Sequence, residues 1–252
     1  MSDLFAGENY TGDPFHLFGL PHLTALGIIL LINLALFYLR FYPNQRIRRG
    51  FRYGLATVLL VNETAYHLWN WTTGQWTIQK MLPLHLCAVM VYFSAIMLLA
   101  KSYSLYKFLY FMGIGAATQA LLTPDAEIYG FPHFRFFQIF ISHGAIVTAA
   151  LYMTIVERYR PYWKTILHVA VWLNVYMLFV GFVNALIGSN YLWIARKPDF
   201  PSLLDVLGPW PIYIFWMEVI GLGVCLLLYL PFAIWDWKEG TDVAMGKSTG
   251  GD

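Results

Sequence analysis

An all-α polytopic membrane protein of about seven transmembrane helices is the fold class this sequence predicts, with its N-terminus outside and its C-terminus cytoplasmic. Three observations predict it. Of 252 residues, 59% are hydrophobic and 12% charged, too little charge for a soluble domain of this size. Apolar stretches of about 20 residues recur, the length a helix needs to cross a ~30 Å hydrocarbon core. Aromatic residues make up 18%, in keeping with Trp and Tyr gathering at bilayer interfaces.

The elements follow in order. Residues 1–16 read as a short extracytoplasmic segment. Asp3, Glu8 and Asp13 lie in the first fourteen positions without a Lys or Arg, the reverse of a signal peptide's basic start. One transmembrane domain, 17–237, holds expected spans at 17–41, 51–71, 82–100, 104–123, 134–156, 163–187 and 210–235. Gly113, Gly115, Ala116, Ala117 and Ala120 give span four a small-residue face, and Gly181, Ala185 and Gly188 do so on span six. Such faces let helix backbones approach closely. Loop six, 188–209, carries Pro198, Pro201 and Pro209, and its length suits a lid or a plain linker. Residues 238–252 read as a disordered cytoplasmic tail.

Orientation comes from the basic residues. Arg40, Arg46, Arg48, Arg49 and Arg52 surround loop one, and Lys101 and Lys107 loop three. Arg158, Arg160 and Lys164 surround loop five, and Lys238 and Lys247 lie in the tail. Only Lys80, Arg135, Arg196 and Lys197 fall elsewhere, so the positive-inside rule puts the first group in the cytoplasm. A net charge of +2 without a basic face gives no reason to expect nucleic acid.

Ionisable groups within spans are costly and so point to function. His22, Asn62, Glu63, His67, His85, Cys87, Gln119, Asp125, His143, Asn184 and Glu218 all fall toward one end of the expected bundle. Of seven histidines, only His168 lies in a cytoplasmic half. Glu63 and His67, four apart, share a helix face, where the carboxylate either orients the imidazole or merely fixes packing. His85 and Cys87, two apart on an expected helix, cannot share one, so the thiol needs a base from another helix. By depth His67 is level with Cys87 and His143 with Glu63, and depth does not choose between them. Cys225, among Gly, Val and Leu, reads as an inert small hydrophobe. Cys87 reads either so or as a nucleophile served by an imidazole. His143 reads equally as a core histidine, and Asn184 as interhelical glue. Neither cysteine suggests a disulfide.

Leu-Pro-Leu-His-Leu-Cys at 82–87, Thr-Pro-Asp at 123–125 and Phe-Phe-Gln-Ile-Phe-Ile-Ser-His-Gly at 136–144 carry a resemblance. Gly-Ser-Asn-Tyr at 188–191 and Leu-Gly-Pro-Trp-Pro at 207–211 extend it. The chain resembles the YwaF-like bacterial integral membrane proteins, related to animal transmembrane protein 164, from about His22 to Pro231. The resemblance implies seven spans and, from the animal relatives, phospholipid remodelling by a cysteine acyltransferase; the compact chain with short termini suggests a bacterial cytoplasmic membrane. Carried onto this chain, the nucleophile is Cys87 and its partner His143; the residues themselves add Glu63 and His67, with His67 the alternative base. His22, Asn62, His85, Gln119, Asp125, Asn184, Asn190, Tyr191 and Glu218 are the expected supporting or substrate-binding residues. Membrane phospholipids and lysophospholipids are the expected partners, with no cofactor and no metal. Two alternatives stand beside this reading. One is a metal-dependent hydrolase drawing on His22, His67, His85, His143, Glu63 and Asp125. The other is a non-enzymatic lipid or solute binder or transporter.

Overall fold

The computed structural model describes residues 3–126, 128–198 and 203–239, and among them it contains seven α-helices and no strand. They are α1 (Leu20–Phe41), α2 (Gln45–Thr72), α3 (Leu86–Ala100), α4 (Tyr103–Leu122), α5 (Phe134–Ile155), α6 (Trp163–Ile187) and α7 (Ile212–Glu239). Four of these, α1, α5, α6 and α7, are long and apolar enough to cross a membrane. α3 is shorter, at 15 residues, while α2 and α4 are long enough but less apolar. Residues 240–252, most of the expected tail, lie outside the described residues, as does Pro201 of loop six.

α5 is the central helix. It packs against α1, α2, α3 and α4, and most of its residues are buried. α7 sits on α4 and α6 at the other side. Small residues set two of these approaches. A Cβ on Gly144 would lie 2.9 Å from the Ile29 side chain of α1, and one on Gly115 would lie 3.1 Å from Val224 of α7. Part of the expected small-residue face of α4 is therefore a helix contact.

Successive helices alternate in direction, which gives the bundle two unlike ends. At the basic end Tyr152 of α5 donates to the Arg48 carbonyl of α2, at 3.0 Å. There too Arg160 grips Asp236 of α7 through both carboxylate oxygens, at 2.7 and 2.9 Å. At the histidine-rich end His22 of α1 meets the Leu121 carbonyl of α4, and Trp69 of α2 packs on Phe134 of α5.

Three boundaries differ from the sequence expectation by four residues or more. α2 begins at Gln45 rather than 51, because the Asn44 side chain caps it by accepting from the Arg46 amide at 2.9 Å. α7 continues to Glu239, past the expected 235. α3 begins at Leu86 rather than 82. Pro83 disfavours helix at the residue before it, and Leu82 instead donates its amide to the Tyr191 hydroxyl at 2.8 Å. His85 is thus the N-cap of α3, not a residue within it.

The segment before α1 is packed onto the histidine-rich end. Trp69 Nε1 donates to the Phe5 carbonyl at 3.1 Å, and His133 Nε2 bonds the Ala6 carbonyl at 3.0 Å. The Tyr10 ring lies against Tyr129 and His133. Gly130 donates its amide to the Asp13 carbonyl at 3.2 Å, and the Asp13 and Pro14 carbonyls leave no room there for a Cβ.

Candidate functional site

Three mutually packed helices, α2, α3 and α5, supply the candidate site. Each contributes one reactive side chain toward the same end: Glu63, Cys87 and His143. Glu63 is buried, while Cys87 and His143 are partly exposed. The Glu63 carboxylate lies within electrostatic range of the Cys87 thiol, the Tyr92 hydroxyl and the Arg135 guanidinium. Arg135 also lies within range of His143.

The histidines differ in what their ring nitrogens are free to do. His143 Nδ1 is 2.8 Å from the Ile139 carbonyl, one turn earlier in α5. A carbonyl can only accept, so Nδ1 carries the proton and Nε2 keeps its lone pair. Nε2 has no hydrogen-bond partner among the described residues. His67 is placed the other way. Its Nδ1 accepts from Trp76 Nε1 at 3.1 Å, and its Nε2 faces Glu63 Oε1 at 3.6 Å. Indole only donates, so the proton of neutral His67 sits on Nε2, pointed at the carboxylate. The i,i+4 pairing of Glu63 with His67 is present, and Trp76 is a partner the sequence did not reveal.

Cys87 stands in the first turn of α3, and His85, the N-cap residue, offers no side-chain bond to that turn. The first-turn amides of Leu86, Cys87 and Ala88 have no acceptor among the described residues. They present donors and partial positive charge beside the sulfur. No histidine is within hydrogen-bond distance of the thiol among the described residues.

Most of the expected supporting residues are occupied elsewhere. His22 accepts from the Phe18 amide at 2.9 Å and meets the Leu121 carbonyl at 2.9 Å, so both its nitrogens are spent. Asn62 donates to the Gln138 carbonyl at 3.1 Å, tying α2 to α5. Asn184 donates to the Tyr191 carbonyl and accepts from the Tyr191 amide and the Ser189 hydroxyl. These amides fix chain to chain and do not face the thiol as free donors. Tyr191 is fully buried, and its hydroxyl donates to the Ile78 carbonyl at 2.7 Å. Asn190 closes a turn with Ala195 and Arg196. Gln119, exposed, donates to Thr123, and Asp125 is half-buried just after α4. Glu218 lies on α7, which packs on α4 and α6.

Loop six is fastened rather than loose over its described residues. The Leu192 amide reaches His85 Nδ1 at 3.4 Å, and the His85 ring packs on Tyr191 and Trp193, 5.1 Å from each. Gly188 ends α6 in the left-handed conformation, where a Cβ is costly. Leu192 and Trp193 also have positive φ, 61° and 50°. The strained pair therefore sits against the residue that caps the helix of Cys87.

Two further features bear on ligands. No group of three His, Cys, Asp or Glu side chains able to hold a metal occurs among the described residues. A cavity of about 100 Å³ lies between residues 13–16 and Pro21, His22, Phe131 and Phe136, away from Cys87.

A comparison with protein families finds the TMEM164 family over residues 17–229. No curated protein and no solved structure matches the chain. A match from before α1 to within α7, together with four helices able to cross a bilayer, shows that this membrane protein belongs to the TMEM164 family.

Proposed function

We propose that the chain is a membrane lipid acyltransferase or lipid-ester hydrolase, with Cys87 as nucleophile and His143 as base. One observation carries the reading: α2, α3 and α5 bring Glu63, Cys87 and His143 to one end, while His143 Nε2 and the α3 amides remain uncommitted. His67, its Nδ1 held by Trp76, serves better to orient Glu63 than to take a proton. In a bilayer, seven spans with an outside N-terminus would set this end among the outer-leaflet lipids. The 82–87 and 136–144 motifs favour the YwaF-like bacterial branch and a bacterial cytoplasmic membrane.

The reaction runs in two steps. Cys87 Sγ attacks the ester carbonyl carbon as His143 Nε2 takes the thiol proton. The α3 amides hold the oxyanion, and such a donor contributes about 3–4 kcal/mol in other enzymes. The carbon–oxygen bond to the lipid alcohol breaks, and that oxygen receives the proton from His143. A lysolipid hydroxyl, or water, then attacks the thioester, its proton returning through His143 to the thiol. Splitting one hard step into two easier ones is the gain of covalent catalysis.

A non-enzymatic lipid binder is the second reading, favoured by the lack of a hydrogen bond between Cys87 and any described histidine. Mass spectrometry of labelled phospholipid and lysolipid in nanodiscs separates the two. Acyl transfer or free fatty acid that disappears in Cys87→Ala supports the enzyme; lipid retention without turnover in folded wild type supports the binder.

A further inference from the structure

Arg135 is the charged residue of this end that the catalytic account leaves unused. It occupies the second position of α5, as Cys87 does in α3, and the two helices start at the same end and pack together. Lys101, just past α3, bonds Glu157, just past α5, and counting fourteen residues back along each chain sets Cys87 level with His143, deeper than Arg135. His143 lies eight residues further along α5, about 12 Å along the axis. The guanidinium is not a loose surface group. It lies 4.5 Å from the centre of the Tyr66 ring, and Nη1 donates to Oε1 of Gln138, a residue only 4% exposed. The Gln138 carbonyl in turn accepts from Asn62. A stacked and hydrogen-bonded guanidinium keeps its remaining N–H donors in a fixed fork, the shape that matches a phosphate oxygen pair.

Its nearest opposite charge, Glu63, is within electrostatic range but makes no direct ion pair with it. Arg135 forms no ion pair with a described residue, and Glu63 turns an oxygen to His67 instead. Lys80, Arg196 and Lys197 lie in loops rather than on α2, α3 or α5.

We propose that Arg135 is a substrate-binding residue that takes the phosphodiester of a phospholipid, held for that purpose by Tyr66 and Gln138. The glycerol backbone then places an acyl ester on the Cys87 side and the headgroup toward water. The assignment rests on the acyl-transfer reading for its ester, but the binding itself is independent of any turnover.

The test uses the full chain in maltoside micelles with pyrene-labelled phosphatidylcholine, and with diacylglycerol of the same chains as the phosphate-free control. Arg135→Gln is expected to weaken phosphatidylcholine binding roughly 10-fold or more, the loss of charge-assisted bonds, and leave diacylglycerol binding unchanged. Arg135→Lys should recover part of the loss, since charge persists without the fork. Gln138→Leu should weaken phosphatidylcholine selectively but by less, because it frees the guanidinium without removing it. Thermal unfolding identifies variants that fold. Where turnover is measurable, Arg135→Gln raises KM for phospholipid by a larger factor than it lowers kcat.

Equal loss for both lipids, or loss for neither, in folded variants overturns the assignment. Displacement of phosphatidylcholine by millimolar inorganic phosphate would make this a free-phosphate site and overturn the lipid assignment too. Selective binding in a protein whose turnover survives Cys87→Ala would sink the acyl-transfer reading while leaving Arg135 in place.

Discussion

The two ends of the bundle differ in which of their polar groups are tied down. At the basic end charged and hydroxyl groups are tied across helices, although the Nε atoms of Arg40, Arg52 and Arg160 are buried without a partner. Tyr106 bonds both Thr154 and the Tyr159 carbonyl at 3.0 Å, Lys101 pairs with Glu157 at 2.6 Å, and Arg52 donates to the Leu98 carbonyl ending α3. Arg160 and Asp236 close loop five onto α7. At the histidine-rich end the partly exposed Cys87 thiol and His143 Nε2 make no hydrogen bond to a described residue, while Arg135 is held by Gln138 and Tyr66. Buried polar groups left unpaired cost stability. The lesson is one of division: both ends are braced by cross-chain bonds, and it is at the histidine-rich end that the reactive groups of the proposed site stand without one.

The comparison breaks first at Cys87. Cys87→Ala is expected to lower turnover by about 10³-fold or more while leaving thermal stability near wild type, as fits a nucleophile. His143→Gln should cost about 10²–10⁴-fold in kcat, the range for a general base. Both are read by lipid mass spectrometry beside a melting curve. A large drop in stability with either would place that residue among the groups that brace the bundle.

The basic end should behave conversely. Asp236→Ala leaves Arg160 half-buried without its carboxylate, and about 1–3 kcal/mol of stability should be lost. Specific turnover of the folded fraction should be unchanged. Denaturant titration and an assay on the same sample check both halves.

A smaller effect sharpens the boundary between the ends. Burial holds the His133 pKa below its ordinary 6.5, with Arg135 adding to the depression and the Ala6 bond opposing it. The folded pKa is the lower one, so the folded state takes up its proton later as pH falls. Stability from this group is intact above about 6.5 and declines as pH drops toward the folded pKa. Proteolysis of the N-terminal segment should therefore speed up at pH 5 relative to pH 7.5, and His133→Asn should flatten that dependence. Smallest of all, Gln119→Ala at an exposed position should change stability by no more than about 0.5 kcal/mol.

How much of this was legible follows from what each signal depends on. The helices were, because apolar run length is a local property: α5 and α6 occupy 134–155 and 163–187, beside expectations of 134–156 and 163–187. The pairing of Glu63 with His67 was legible because i,i+4 spacing is also local. The start of α3 was not, since Pro83 acts together with a tyrosine over a hundred residues away. His85, Asn184 and Tyr191 drew attention as polar residues near the end, yet their partners make them fasteners of loop six. The packed segment before α1 has no periodicity to betray it; Phe5, Tyr10 and Phe15 were its only trace. Arg135, a lone arginine in Phe-Arg-Phe-Phe-Gln, is visible as a charge that asks for a reason, but its Tyr66 partner lies on another helix and is not legible from local spacing.

The most direct test is the covalent intermediate itself. Wild-type protein is incubated with excess phospholipid without acceptor, quenched in acid and weighed intact by mass spectrometry, with peptide mapping of the adduct. The account predicts a mass gain of one acyl chain on Cys87, removed by neutral hydroxylamine as a thioester is and absent in Cys87→Ala. Lipid turnover with Cys87 unmodified throughout, or equal turnover by Cys87→Ala, would contradict it.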